Sequence, residues 1–278
     1  MKHVLFIMAA ACLLTGCSSE QTLKKTDDKK EAAEDSQQEE RVKEEEAAKE
    51  PEKEEPEEEM ISEQPAEPKY TIDPANWTIK PLSGNVNSKT VLLTIDDAPD
   101  KNSLEMAHIL KELGVKAIFF VNGHFIDSEE EKKVLKEIHD LGFPIGNHTL
   151  THANLKDLSI EEQRKEIIGL NDQVEAITGE RPQFFRAPFG SNTDDSRKIA
   201  EEEKMVLMNW TYGYDWVKDY QTKEALTDIM VNSPYLTDGA NLLMHDREWT
   251  KAALKGIVEG LIAKGYEIAN PDFIKKIS

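Results

Sequence analysis

Apolar residues are distributed along the chain in three regimes. An unbroken apolar run from Val4 to Leu14 comes first. A long stretch from Glu20 to Lys69 is nearly devoid of aromatic and branched apolar residues. From about Tyr70 onward, short apolar runs alternate with amphipathic stretches. The runs are Thr90–Ile95, Val115–Val121, Phe143–Gly146, Gln183–Arg186, Met205–Trp210, Ala240–Met244 and Tyr266–Ala269, each of strand length. The clearest intervening helix opens at Ser159, with Glu162 three residues on in a capping-box pattern. Ile167, Ile168, Val174 and Ile177 recur along it at helical spacing, and Gly179 is its expected stop. Strand–helix alternation predicts a parallel sheet covered by helices, an α/β fold. Seven candidate strands suit a barrel slightly short of eight or an open sheet. There is no internal repeat.

The first run is too short to cross a bilayer as a helix and reads as the apolar region of an export signal behind Lys2 and His3. It ends in Leu14-Thr15-Gly16-Cys17, which resembles a bacterial lipoprotein cleavage box. That resemblance implies a signal peptide over residues 1–16 and a lipid on Cys17, which would hold the protein on the extracytoplasmic face of the cell membrane. The alternative is an ordinary secretory signal followed by a chance cysteine. The only other cysteine, Cys12, lies in the segment to be removed, so no intramolecular disulfide is expected.

Charge sharpens the boundary between tether and domain. The formal net charge is −20, and Glu20 to Lys69 alone carries 20 acidic and 9 basic residues. Such a segment cannot bury enough apolar surface to offset the entropy of ordering. Pro51, Pro56, Pro65 and Pro68 also break any long helix. Residues 17–69 are therefore expected to be a disordered acidic tether, able to reach about 165–180 Å at full stretch. Residues 70–278 have globular composition and enough length for one domain with a sizeable core. The acidic balance argues against a nucleic-acid partner.

Polar residues cluster where candidate strands end. Asp96-Asp97 closes the first, His148 and His152 follow the third, and Arg186 closes the fourth. Asp215-Trp216 comes after the fifth, and His245-Asp246 closes the sixth. In barrels of parallel strands, functional groups collect at C-terminal strand ends. Each piece alone has an ordinary structural explanation: a helix cap, a loop arginine, a core tryptophan. The weight lies in the set and its order.

In sequence, Thr94-Ile95-Asp96-Asp97-Ala98-Pro99, His148-Thr149-Leu150-Thr151-His152, Arg186-Ala187-Pro188-Phe189-Gly190, Asp215-Trp216 and Leu243-Met244-His245 resemble the five ordered motifs of the polysaccharide deacetylases, the NodB-homology carbohydrate esterases. The resemblance covers nearly all of the chain after Thr90. It implies a distorted (β/α) barrel of about seven parallel strands and a metal-dependent hydrolase acting on an N-acetylated glycan. It implies that Asp97, His148 and His152 bind one divalent metal, zinc first. Asp96 then resembles the catalytic base, Arg186 the residue orienting that base, His245 the general acid and Asp215 its carboxylate partner. Phe189, Trp216 and Leu243 resemble the substrate-binding residues, with the Phe189 backbone N–H as an oxyanion donor.

Two departures stand out. The family usually has Gly where this chain has Ala98, a costly change if that position takes a positive φ. The fourth motif, Trp210 to Trp216, lacks a residue and an upstream Asp. Within it, Tyr212 and Tyr214 suit either a sugar cleft or core packing. Neighbouring Asp96 and Asp97 can serve one site only if the strand has begun to unwind there. The expected substrate is peptidoglycan, then a poly-N-acetylglucosamine exopolysaccharide, chitin-like oligomers or an acetylated xylan. The rival from another class is a metal- or glycan-binding lipoprotein without catalysis.

Overall fold

A computed structural model describes residues 67–277. The expected signal peptide (1–16), the lipidation residue Cys17, and all of the expected tether before residue 67 lie outside them.

The fold is α/β. Strands β3 (Thr90–Ala98), β4 (Ile118–Val121), β5 (Ile145–Asn147), β6 (Phe184–Phe185), β7 (Val206–Leu207), β8 (Ala240–His245) and β9 (Glu267–Ile268) form one parallel sheet. Its order is β7-β6-β5-β4-β3-β8, with β9 beside the start of β3. Helices α1 (Ser103–Glu112), α2 (Glu129–Asp140), α3 (Ile160–Thr178), α4 (Asp194–Glu202), α5 (Lys223–Asn232) and α6 (Glu248–Ala263) lie between successive strands. All seven strands fall inside the apolar runs of the sequence or overlap them. The sheet curls because the chain leaves β7, crosses the opening and meets β8. Thr211 N–H donates to Asn241 O, and Leu243 N–H donates to Tyr212 O. That crossing is why the run Met205–Trp210 yields only a two-residue strand. The outcome is the distorted barrel.

Alternation along the strands divides the core. Val91, Leu93 and Ile95 of β3 face outward with Phe119, Val121, Leu242 and Met244, and pack under α1, α5 and α6. Leu92, Ile118, Phe120, Phe184, Val206 and Met208 fill the other face. Helix α3 starts as the pattern predicts. Ser159 and Glu162 exchange hydrogen bonds in a capping box, and Gly179 (φ 88°) ends it by donating to Glu175 O.

An antiparallel hairpin, β1 (Tyr70–Ile72) with β2 (Ile79–Pro81), closes the lower end of the barrel. Tyr70 and Ile79 pack there with Ile274 and Leu92. Three-residue strands carry no readable period, so the sequence gives no sign of this hairpin. Tyr212 and Tyr214 take the core alternative. Tyr212 is buried with its hydroxyl on Met230 O, and Tyr214 bonds Ser233. Among the described residues, no helix is long and apolar enough to cross a membrane.

Candidate active site

The site lies at the C-terminal ends of the strands and begins with an irregularity in β3. Ile95 pairs with Phe119 and Ala98 with Val121, so β3 holds one residue more than β4 between these points. The extra residue is accommodated by Asp97, which adopts φ 60°. This bulge defeats the usual alternation, so Asp96 and Asp97 both reach one cleft. The left-handed residue is Asp97 and not Ala98, which lies buried in the strand at an ordinary φ. The Gly-to-Ala departure therefore carries no backbone strain.

His148 and His152 sit on an irregular loop after β5, where Thr149 (φ 71°) and His152 (φ 59°) are also left-handed. Several buried polar groups fix this loop. Asn122 donates from its side chain to His148 O, and Asn147 Oδ1 accepts from Thr149 N–H. The Glu166 carboxylate on α3 accepts from Thr151 at both backbone and hydroxyl, each at 2.8 Å. The His148 Nδ1–H donates to Arg186 O at 2.7 Å, which turns Nε2 toward the cleft. Ligand atoms of Asp97, His148 and His152 all lie within 4.8 Å of one another. Two imidazoles and a carboxylate at this spacing, with the cleft open beside them, suit a divalent metal with a free coordination position.

Arg186 is fully buried behind Asp96. Its guanidinium donates to Asp96 Oδ1 at 2.6 Å, Thr94 Oγ1 at 2.8 Å and Asn209 O at 2.9 Å, and it stacks on Phe120 with 4.3 Å to the ring centroid. Gly146 permits this stack, because a Cβ there would meet the Phe120 ring at 2.5 Å. Asp96 Oδ2 faces His148 Nε2 at 3.5 Å. The pair therefore leaves one carboxylate oxygen toward the triad and anchors the other.

Across the cleft, β8 pairs with β3 so that His245 lies beside Asp96. The fully buried Asp215 carboxylate accepts from His245 Nδ1 at 2.7 Å, from the His245 backbone N–H at 2.6 Å and from Thr250 Oγ1 at 2.8 Å. Trp249 Nε1 donates to Asp215 O. With Nδ1 engaged, Nε2 is the nitrogen left for the cleft.

The histidines are poised oppositely. Burial pushes His148 down from its ordinary pKa, against the pull of Asp96. Burial and the neighbouring His148 push His152 down as well. Both are thus neutral near pH 7, the form that offers a lone pair. For His245, burial also opposes charge, but Asp215, Asp96 and Asp97 outweigh it and the pKa is raised. Burial works against the Asp97 carboxylate too, yet His245, His148, His152 and Arg247 hold its pKa below the usual value.

A cleft of about 400 Å³ joins these groups. Phe189 and Trp216 stand exposed on its walls, the first edge-on to His152 and the second edge-on to His245, while Leu243 is buried at its base. Nine of the ten site residues expected within the domain line this one cleft, and the tenth, Arg186, lies buried behind Asp96. Phe189 takes φ 58°, the fourth left-handed residue of the site with Asp97, Thr149 and His152. Sequence reading did not identify Arg247, Thr250, Glu166 or Asn241. Arg247 directly follows His245-Asp246 and was legible by position. Thr250 and Asn241 also lie within five residues of His245, but only the fold shows that Thr250 donates to Asp215 and that Asn241 Oδ1 accepts from Arg186 at 3.3 Å; Glu166 acts from α3, and no local signal marks it.

A family model described as polysaccharide deacetylase matches residues 83–208. A peptidoglycan-N-acetylglucosamine deacetylase of Bacillus cereus is 30% identical over 202 residues, covering 69% of this chain and 71% of the relative. The peptidoglycan-N-acetylmuramic acid deacetylase PdaC of Bacillus subtilis is 30% identical, covering 78% of this chain and 44% of the relative. Among solved structures, a CE4 family pseudoenzyme from Bacillus anthracis superposes with a TM-score of 0.61 at 33% identity, over 66% of this chain and 64% of that one. A mutant of that pseudoenzyme with restored enzymatic activity matches equally well, with a TM-score of 0.61 at 35% identity.

Proposed function

The chain belongs to the polysaccharide deacetylase family, a family of hydrolases, and we propose that it removes N-acetyl groups from an amino-sugar glycan of the cell envelope, peptidoglycan first. One observation carries this reading. A cluster of three metal-type donors shares its cleft with a separate carboxylate, Asp96, and with a carboxylate-supported imidazole, His245. A binding protein needs the first feature and has no use for the other two.

In this proposal Asp97, His148 and His152 hold one divalent cation, zinc first. A cation bound there would supply Lewis acidity for hydrolysis of the acetamide. Asp96, whose other oxygen is held by Arg186, accepts the proton of the attacking water at Oδ2. The Phe189 backbone N–H donates to the carbonyl oxygen as charge develops there. His245, held by Asp215, gives its Nε2 proton to the amine nitrogen as the C–N bond breaks. Water adds across the amide, so the products are acetate and a glycan amine. Leu243 and Trp216 wall the space for the acetyl methyl.

The likeness to a pseudoenzyme gives specific ground for a second reading, in which the protein only binds glycan. Against it, every chemical position in this cleft is filled by a residue able to do the work. Two relatives named for deacetylating peptidoglycan support that polymer over poly-N-acetylglucosamine. The proposed lipid on Cys17 would place the domain outside the cytoplasm, within reach of it. Acetate release from peptidoglycan, abolished by a chelator and restored by zinc, tests the enzymatic reading; absence of release from peptidoglycan, poly-N-acetylglucosamine and acetylated xylan alike decides for the binder. Cys17→Ala tests the anchor: normal maturation and unchanged membrane retention after a carbonate wash would refute it.

A further inference from the structure

We propose that Arg247 governs the charge on the metal-site aspartate. It draws electron density from Asp97, so a metal held there is bound more weakly, and left more electrophilic, than three bare ligands would make it. The inference rests on Asp97, His148 and His152 being a metal site.

The geometry is specific. Arg247 Nη2 donates to Asp97 Oδ2 at 2.9 Å, while Oδ1 of the same carboxylate faces His152 Nε2 at 3.7 Å. One oxygen thus belongs to the guanidinium and the other to the histidine cluster. Arg247 Nη1 donates to Asp246 O at 2.9 Å, so two bonds fix the orientation of the head group.

The segment that presents Arg247 is itself locked to β3. The Asp246 N–H donates to Asp96 O, and the buried Asp246 carboxylate accepts from Asn102 and Ser103 at the start of α1. Arg247 follows as the residue before α6, in extended conformation. The backbone position of Arg247 relative to Asp97 is therefore fixed, and its two hydrogen bonds hold the head group.

The neighbouring aspartates are treated alike. Arg186 takes one oxygen of Asp96, and Arg247 takes one oxygen of Asp97. Their surroundings differ. Arg186 is buried beneath the site, whereas Arg247 is partly exposed and is the one Lys or Arg among the residues lining the cleft. Outer partners of ligating histidines accept from the ring N–H and make the ligand more basic, whereas a ligating carboxylate can only accept, so the charge of its donor decides the effect. A cationic donor makes the ligand less basic. It competes for the carboxylate charge and repels the metal, while favouring the electron-poor centre that amide hydrolysis needs.

The sign of the effect separates this from simple support. If Arg247 only held Asp97 in place, its loss would loosen the metal. Charge competition predicts the opposite, and a unit charge a few ångströms from a divalent ion at an effective dielectric of ~20 is worth more than a factor of about ten in affinity.

The test is zinc affinity of the purified full-length chain, by competition with a chromophoric chelator, for the parent, Arg247→Gln, Arg247→Lys and His148→Ala. Turnover and KM on an N-acetylglucosamine oligomer are read alongside. The expected result is at least about tenfold tighter zinc in Arg247→Gln, with turnover lowered and KM little changed, and near-parental affinity in Arg247→Lys, which keeps the charge. Equal or weaker zinc binding in Arg247→Gln overturns the proposal. Equal zinc binding by the parent and His148→Ala instead removes the metal-site reading, and this inference with it.

Discussion

Asp215 holds His245 twice, through ring Nδ1 at 2.7 Å and through the backbone N–H at 2.6 Å. Burial alone would make this imidazole a poor base, but the Asp215 carboxylate, with Asp96 and Asp97, raises its pKa above 6.5. As a proton donor, His245 must be charged, so kcat/KM should fall as pH rises through that raised value. In Asp215→Asn the alkaline limb should move to lower pH by at least about one unit, the scale of a lost charge partner. Stability has a matching sign. The pair's contribution is fully present below the unfolded histidine pKa and is lost as pH rises through the folded one. The stability deficit of Asp215→Asn should therefore be largest in mild acid and shrink toward alkaline pH. An unmoved pH–rate profile would remove Asp215 from the role of partner.

Arg186 and Asp96 form a fully buried ion pair. Removing one partner of such a pair leaves an uncompensated charge and costs about 3–5 kcal/mol. Arg186→Ala should lose this much in urea unfolding, and activity should fall further than stability explains, since Asp96 loses its orientation. Arg186→Lys should rescue little, because a lysine lacks the planar fork that serves Asp96, Thr94 and Asn209 together. A mild effect, below about 1 kcal/mol, would show that the pair is not the anchor of the base.

Much of this was legible in the sequence because the chemistry sits at strand ends, and strands reveal themselves by apolar runs. Asp96, Arg186 and His245 each close such a run, and His148 follows one. What was not legible depends on long-range closure. The hairpin β1–β2 is too short to carry a period. The bulge at Asp97 is set by pairing with β4, a partner that local sequence does not name. The spacing of His148 and His152 suits a helix or turn equally, and only the buried Asn122, Asn147 and Glu166 decide for a strained loop. Tyr212 and Tyr214 sit beside a site motif, yet their hydroxyls find partners on α5 and just beyond it.

Asp96 and His245 should be separable from the metal triad. Asp96→Asn keeps the shape of the side chain, and His245→Ala removes a group that contacts none of the triad by hydrogen bond. Each variant should retain metal by elemental analysis and lose at least roughly 100-fold in rate, the scale of a positioned acid or base. Loss of metal in Asp96→Asn would mean that the two aspartates have exchanged roles.

Glu166 should matter through His152. Its carboxylate ties Thr151 at two points from a buried position on α3. Glu166→Ala should weaken metal binding by about 10–100-fold, the usual cost of losing an outer support. Glu166→Gln keeps one acceptor and should recover part of it. Unchanged affinity in both variants would assign the loop's order to Asn122 and Asn147 alone.

The most direct measurement incubates the purified protein with peptidoglycan and, separately, with poly-N-acetylglucosamine, then counts new free amines by mass spectrometry of the digested fragments. The account predicts glucosamine or muramic amine appearing in peptidoglycan, in step with acetate, and neither in Asp96→Asn. Amines in the exopolysaccharide alone would move the substrate there. No new amine in either polymer, with acetate released only from an acetylated xylan, would contradict amide hydrolysis and make the protein an O-acetyl esterase.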